Sequence, residues 1–268
     1  MYSCRVADGG YFFARIPPGS LLDSYFAVKT LKVLGQRPER PESLERFVRS
    51  HTGEKSAMRI HGLYLCSEIL RELGGNTEIL RDSADGFSLS SDFRASISSR
   101  DGLYWEVVSE LQPVFEAVSV FTSLGLPFDE EEIARVVRSL RNEDGGYGYG
   151  QSSLVTTYYA LRILSHLGAP LESPQMTVEY SLRRRGRVYF LEELFYLTGI
   201  WRTMGKVNDS REEDASFVLD CQRHGGGFAR ARLVGIATLE YTYYAVSVLG
   251  QLGLIASTTG QERLERTH

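Results

Sequence analysis

Three glutamates stand where a carboxylate is costly. Glu116, Glu193 and Glu240 each fall in a stretch that is otherwise apolar and helical in pattern. A carboxylate there needs a partner or a cavity to face, and burial raises its pKa toward the range useful for acid–base work. These three are the candidate catalytic groups. His61, ahead of another apolar stretch, ordinarily titrates near neutrality and joins them as a candidate; its other reading is a hydrogen-bonded structural histidine. Tyr25, Tyr158, Tyr159, Tyr196, Tyr241 and Tyr244 crowd the same stretches. Such rings carry negative potential on their faces and suit an apolar chain or a cationic intermediate, although any one of them can equally be a helix-packing aromatic. The chain has 15 Tyr against 13 Phe. Buried hydroxyls need partners or water, which favours a wet or ligand-filled cavity over a dry core. Arg183, Arg184, Arg185 and Arg187 form a basic run. Guanidinium groups match phosphate oxygens, and Arg187 is the candidate binding residue of the run. The other three read as cations that complement a helix C-terminus.

Composition narrows the class. A net charge of −4 over 268 residues offers no general attraction to nucleic acid. Cys4, Cys66 and Cys221 are too few and too scattered for a disulfide framework, so a reducing, cytoplasmic setting is expected. The first residues lack the basic-then-apolar pattern of a signal peptide. No run approaches the ~18 apolar residues of a membrane span.

A repeat must position these groups. Residues 9–35, 145–168 and 225–253 each contain a Gly-Gly-aromatic turn, a variable loop, a helix with an aromatic pair, and a closing glycine. Tyr25-Phe26, Tyr158-Tyr159 and Tyr243-Tyr244 lie at one common distance before Gly35, Gly168 and Gly253. Degenerate copies close at Gly74, Gly125 and Gly205. The closing glycines are roughly 40 residues apart, one helical hairpin each. Residues 128–142, 210–224 and the shorter 42–50 carry an apolar stripe on a charged background and read as outer helices. Capping pairs Asp129–Glu132 and Ser210–Glu213 are expected at two of their starts. The aromatic helices, apolar nearly all round, belong inside. The Gly-Gly pairs read as turns, since no Lys-Ser or Lys-Thr follows them to make a phosphate cradle. The expectation is a single all-α domain over residues 1–268, an α/α barrel (toroid) of about six helical hairpins. Apolar first and last copies favour a closed ring over an open solenoid.

The Gly-Gly-Tyr/Phe turns followed by TTYYALRIL at 156–164 and YTYYAVSVL at 241–249 resemble the repeats of the prenyltransferase β-subunit and squalene cyclase superfamily. The resemblance covers most of residues 9–253 and implies an isoprenoid-handling toroid. In protein prenyltransferases it implies a zinc held by an Asp-x-Cys pair and a distant His. Anchored on Arg187, that pair falls on Glu193 and Phe195; anchored on Gly205, it falls on Phe190 and Glu192. The His position holds Tyr241. Neither register supplies a ligand set for zinc, so no metal and no other cofactor is expected. Arg187, which the resemblance places on a prenyl diphosphate, is retained with Tyr196 near it. The cyclase acid motif Asp-x-Asp-Asp is absent. Asp82 with Asp85, and Glu212-Glu213-Asp214, are the nearest carboxylate clusters, and the second reads as the acidic start of an outer helix. The expected partner is an isoprenoid diphosphate or another lipidic small molecule, with a protein partner or homo-oligomer left open. The expected function is prenyltransferase-like or terpenoid-cyclase-like. The alternatives are a non-catalytic binding or scaffold toroid and a carbohydrate-active barrel with paired carboxylates.

Overall fold

The Gly-Gly-aromatic segments fold into one local unit, seen three times in a computed structural model that describes residues 1–52, 60–84, 87 and 109–255. The aromatic residue of each turn, Tyr11, Tyr147 or Phe228, is buried. Each makes isolated bridges to both flanks, as Tyr147 does to Arg141 and Ser153. Its backbone N–H donates to a hydroxyl one turn into the next helix: Tyr11 to Ser24 Oγ at 2.9 Å, Tyr147 to Thr157 Oγ1 at 2.9 Å, Phe228 to Thr242 Oγ1 at 3.1 Å. The helix itself is capped by Ser20, Ser153 or Thr238, each accepting from a backbone N–H three residues on. This satisfies donors that a helix start leaves open. In two copies an aspartate, Asp8 or Asp144, also accepts from the second glycine's N–H at 3.0 Å. Gly145 has φ +89°, and a Cβ there would collide with the Met176 carbonyl, so the turn can press against the next outer helix only as glycine.

Among the described residues, eleven α-helices follow in chain order. The inner set is α1 (Leu21–Val33), α3 (Ile60–Leu73), α5 (Leu111–Leu124), α7 (Leu154–His166), α9 (Leu191–Thr203) and α11 (Leu239–Gln251). Between them run α2 (Pro41–Thr52), the single-turn α4 (Arg81–Ala84), α6 (Glu130–Ser139), α8 (Pro174–Arg185) and α10 (Arg211–Asp220). All six closing glycines sit in the left-handed region, φ +61° to +72°, which ends each inner helix. Among the described residues there are isolated bridges and no strand, and no helix is long and apolar enough to cross a membrane.

Each inner helix packs on the next, α1 on α3, then α5, α7, α9 and α11, and α11 packs back on α1. The ring is closed. Outer helices α2, α6, α8 and α10 each lie against the inner helix that follows them. The expected cap at Asp129 forms, its Oδ1 accepting from Glu132 N–H at 2.8 Å. The expected Ser210–Glu213 box does not, because Ser210 makes no side-chain cap. Arg185 takes the acids of that turn instead, Asp214 at 2.6 Å and Glu213 at 3.2 Å. Asp85 lies outside the described residues.

Candidate functional site

Parallel inner helices of 13 or 14 residues place equivalent positions at one height in the ring. Counted back from the closing glycine, Tyr25, Tyr64, Phe115, Tyr158, Phe195 and Tyr243 share a single register. Every inner helix therefore contributes an aromatic to one layer. The rings touch around the circle. Tyr25 and Tyr64 have centroids 5.7 Å apart, Tyr64 and Phe115 6.0 Å, Tyr158 and Phe195 5.5 Å, Phe195 and Tyr243 5.6 Å. Tyr159 bridges Phe115 to Tyr196, and Phe26 bridges Tyr243 to Tyr25. These distances suit tilted and edge-to-face pairs. In α9, Gly199 leaves the space that the Tyr158 ring occupies, since a Cβ there would lie 2.5 Å from it. The layer borders a central cavity of about 540 Å³.

On the side of the helix starts, the wall is acidic. Glu116 is almost fully buried and accepts from His61 Nδ1 at 2.9 Å and Gln112 Nε2 at 2.9 Å. The hydrogen bond to Glu116 raises the His61 pKa above its ordinary 6.5, against the opposing effect of burial. Across the ring, Tyr244 donates its hydroxyl to Glu240 Oε1 at 2.8 Å. Burial pushes the Glu240 carboxyl up from its ordinary value, Asp23 nearby adds to this, and the Tyr244 hydrogen bond and Arg230 oppose it. Burial likewise raises the pKa of Asp23. On the side of the helix ends, the wall is basic. Lys29, Lys32, Arg71, Arg162 and Arg202 line it with Glu68 close by. Arg162 donates to the Tyr158 hydroxyl at 2.7 Å and lies 4.7 Å over the Phe115 ring.

The structure brings together eight residues expected from the sequence, namely Tyr25, His61, Glu116, Tyr158, Tyr159, Tyr196, Glu240 and Tyr244, all on the cavity wall. Three others are not on it. Glu193 caps α9, accepting from the N–H groups of Tyr189 at 2.7 Å and Phe190 at 3.1 Å, because it stands three residues after the cap position, from which a carboxylate reaches back to the cap N–H. Arg187 is exposed beyond the end of outer helix α8. Its neighbours in the basic run tie hairpins together, as Arg183 does with the Asp144 carbonyl at 2.8 Å. Tyr241 is half-buried behind the wall, its ring 6.3 Å from that of Tyr244. Sequence reasoning did not single out Phe195, Tyr243 or Arg162 as site residues. Carrying the closing-glycine register through the degenerate copies would have exposed the first two.

The positions that resemblance assigns to zinc are filled by other chemistry. Glu192 accepts from Arg230 Nε at 2.5 Å, and the guanidinium lies 4.0 Å over the Phe190 ring. Arg230 also accepts the Leu191 N–H through its carbonyl. Phe195 belongs to the aromatic layer, and no group of three His, Cys, Asp or Glu side chains suited to a metal occurs among the described residues. The donor set does not fit zinc. Cys66 and Cys221 are buried, and burial lifts their thiols to about 12 and about 11, far from reactive thiolates.

No curated protein matches the sequence. Among solved structures, Candida albicans protein geranylgeranyltransferase-I complexed with GGPP superposes with a TM-score of 0.63 at 13% identity, over 91% of this chain and 90% of that one. This likeness is one of fold. The family model of the prenyltransferase alpha-alpha toroid domain matches residues 1–68, 114–188 and 174–267. With six inner helices closed around an aromatic cavity and most of its length matched, this chain belongs to the prenyltransferase alpha-alpha toroid family.

Proposed function

We propose that the chain binds an isoprenoid, in the form of a prenyl diphosphate, with its hydrocarbon against the aromatic layer. One observation carries this reading: six inner helices each supply an aromatic to the same height of a cavity of about 540 Å³. A dry core would fill that space with aliphatics; rings around a void suit a long, unsaturated, apolar guest. The solved toroid with bound GGPP supports the reading by analogy of fold.

Thiol transfer on zinc does not fit the residues present. Acid chemistry falls to Glu240, whose buried carboxyl holds its proton to higher pH and whose carboxylate, once the proton has left, keeps the Tyr244 hydrogen bond. The test is calorimetric titration with prenyl diphosphates of increasing length. Each added methylene that is buried contributes about 0.8 kcal/mol, so affinity should climb with length until the cavity is filled. Equal affinity across the series would remove the tail site. In a binding and turnover assay, Glu240→Gln should leave affinity intact and abolish any conversion of the bound lipid.

A further inference from the structure

The basic half of the cavity carries charge that the described residues do not fully neutralise. Lys29 pairs with Glu68 and Glu72 at 3.1 Å each, Lys32 with Glu72 at 2.7 Å, and Arg71 with Glu68 at 2.6 Å. Arg162 and Arg202 pair with no carboxylate among the described residues. The wall beside these two arginines is hollow. At the register where other inner helices carry Lys29 and Glu68 stands Gly199, and at the register of Lys32 and Arg71 stands Gly250. The result is a second pocket of about 420 Å³. Its polar lining is Arg162, Arg202, Tyr158, Tyr243, Ser247 and Gln251, with no carboxylate. Cations in a last helical turn also complement the helix dipole, but that role needs neither a guanidinium stacked inside the ring nor a hollow next to it.

We propose that this pocket seats a phosphate or diphosphate group between Arg162 and Arg202, at the C-terminal ends of the inner helices. The proposal rests on the isoprenoid reading for the lipid that carries that group. It fixes the direction in which the lipid lies. The hydrocarbon runs from the arginines over the aromatic layer toward Glu240 and His61, which lie roughly 10 Å from Arg162 and roughly 15 Å from Arg202 in helical rise at 1.5 Å per residue. The end of the chain remote from the phosphate then meets the acid side, and the phosphate stays far from it. The polarity is opposite to the one implied by placing the phosphate on Arg187.

Calorimetry with three probes tests this: a prenyl diphosphate, the prenyl alcohol of the same length, and inorganic diphosphate. The wild type should bind the prenyl diphosphate at least tenfold more tightly than the alcohol. Arg202→Gln and Arg162→Gln should each weaken the prenyl diphosphate at least tenfold and leave the alcohol unchanged, whereas Arg187→Gln should change neither. Arg202 is exposed, so its substitution tests the pocket without disturbing the packed Arg162. Unchanged affinity for the prenyl diphosphate in Arg202→Gln, or equal wild-type affinity for diphosphate and alcohol, overturns the pocket and leaves the tail site standing. Arginine-dependent binding of inorganic diphosphate with no gain from a prenyl chain supports the pocket as a site for free phosphate and overturns the isoprenoid reading instead.

Discussion

His61 and Glu116 show what a single hydrogen bond does to titration. The folded state raises the His61 pKa, chiefly through the Glu116 hydrogen bond, so it binds that proton more tightly than the unfolded chain does. The stabilisation is complete below the ordinary 6.5 and is lost as pH rises through the elevated value. Imidazole resonances followed by NMR should give a midpoint above 6.5, and Glu116→Gln should bring it down. A midpoint at or below 6.5 in the wild type would mean that the pair does not hold in solution. At this scale the sequence was informative about residue type and less so about direction. Glu116 and Glu240 sit among apolar neighbours and do face the cavity. Glu193 sits among similar neighbours, yet its carboxylate turns back to cap α9. What decides between them is helical position: Glu193 lies three residues after the N-cap Phe190, where a carboxylate reaches the cap N–H, whereas Glu116 and Glu240 lie at other positions of their helices.

The repeat turns are the elements that were most legible, because their chemistry is local. A Gly-Gly-aromatic run, a Ser or Thr cap and a hydroxyl one turn further on are all fixed by short sequence spacing. Thr157 is fully buried and accepts the Tyr147 N–H. Thr157→Val keeps the shape, removes the acceptor, and strands a buried donor, which costs about 1–3 kcal/mol. Urea unfolding should show that loss, and a change within error of zero would mean that water or another carbonyl takes the Tyr147 N–H. The outer helices were less legible at their ends. Ser210 and Glu213 have the spacing of a capping box, but Arg185 from the neighbouring α8 reaches across and takes Glu213 and Asp214. The Ser210 N–H goes to Asn208 Oδ1 at 2.9 Å and a tertiary ion pair holds Glu213, and the Ser210–Glu213 spacing reveals neither partner. The basic cavity half was illegible for the same reason. Lys29, Arg162 and Arg202 lie on different helices, and only the closed ring brings them to one wall.

For the whole molecule, the joint between α1 and α11 decides between ring and solenoid. Phe26 sits on that joint, its ring 5.7 Å from Tyr243 and 5.9 Å from Tyr244. Phe26→Ala should cost about 3–5 kcal/mol. In a closed ring the loss should lower far-ultraviolet dichroism and tryptophan fluorescence transitions together, since no end is free to fray alone; separate transitions would point to a seam that opens by itself. The same joint sets an order of events as the chain is made. Neighbouring hairpins need only short-range closure and can form as they emerge. The seam joins the first and last helices of the ring and carries the largest loop-closure entropy. Until α11 is synthesised, the inner faces of five helices form an open arc of aromatic surface with no cavity to enclose. Nascent chains in that state are the species on which aggregation and chaperones act, and the last repeat is what takes that surface out of water.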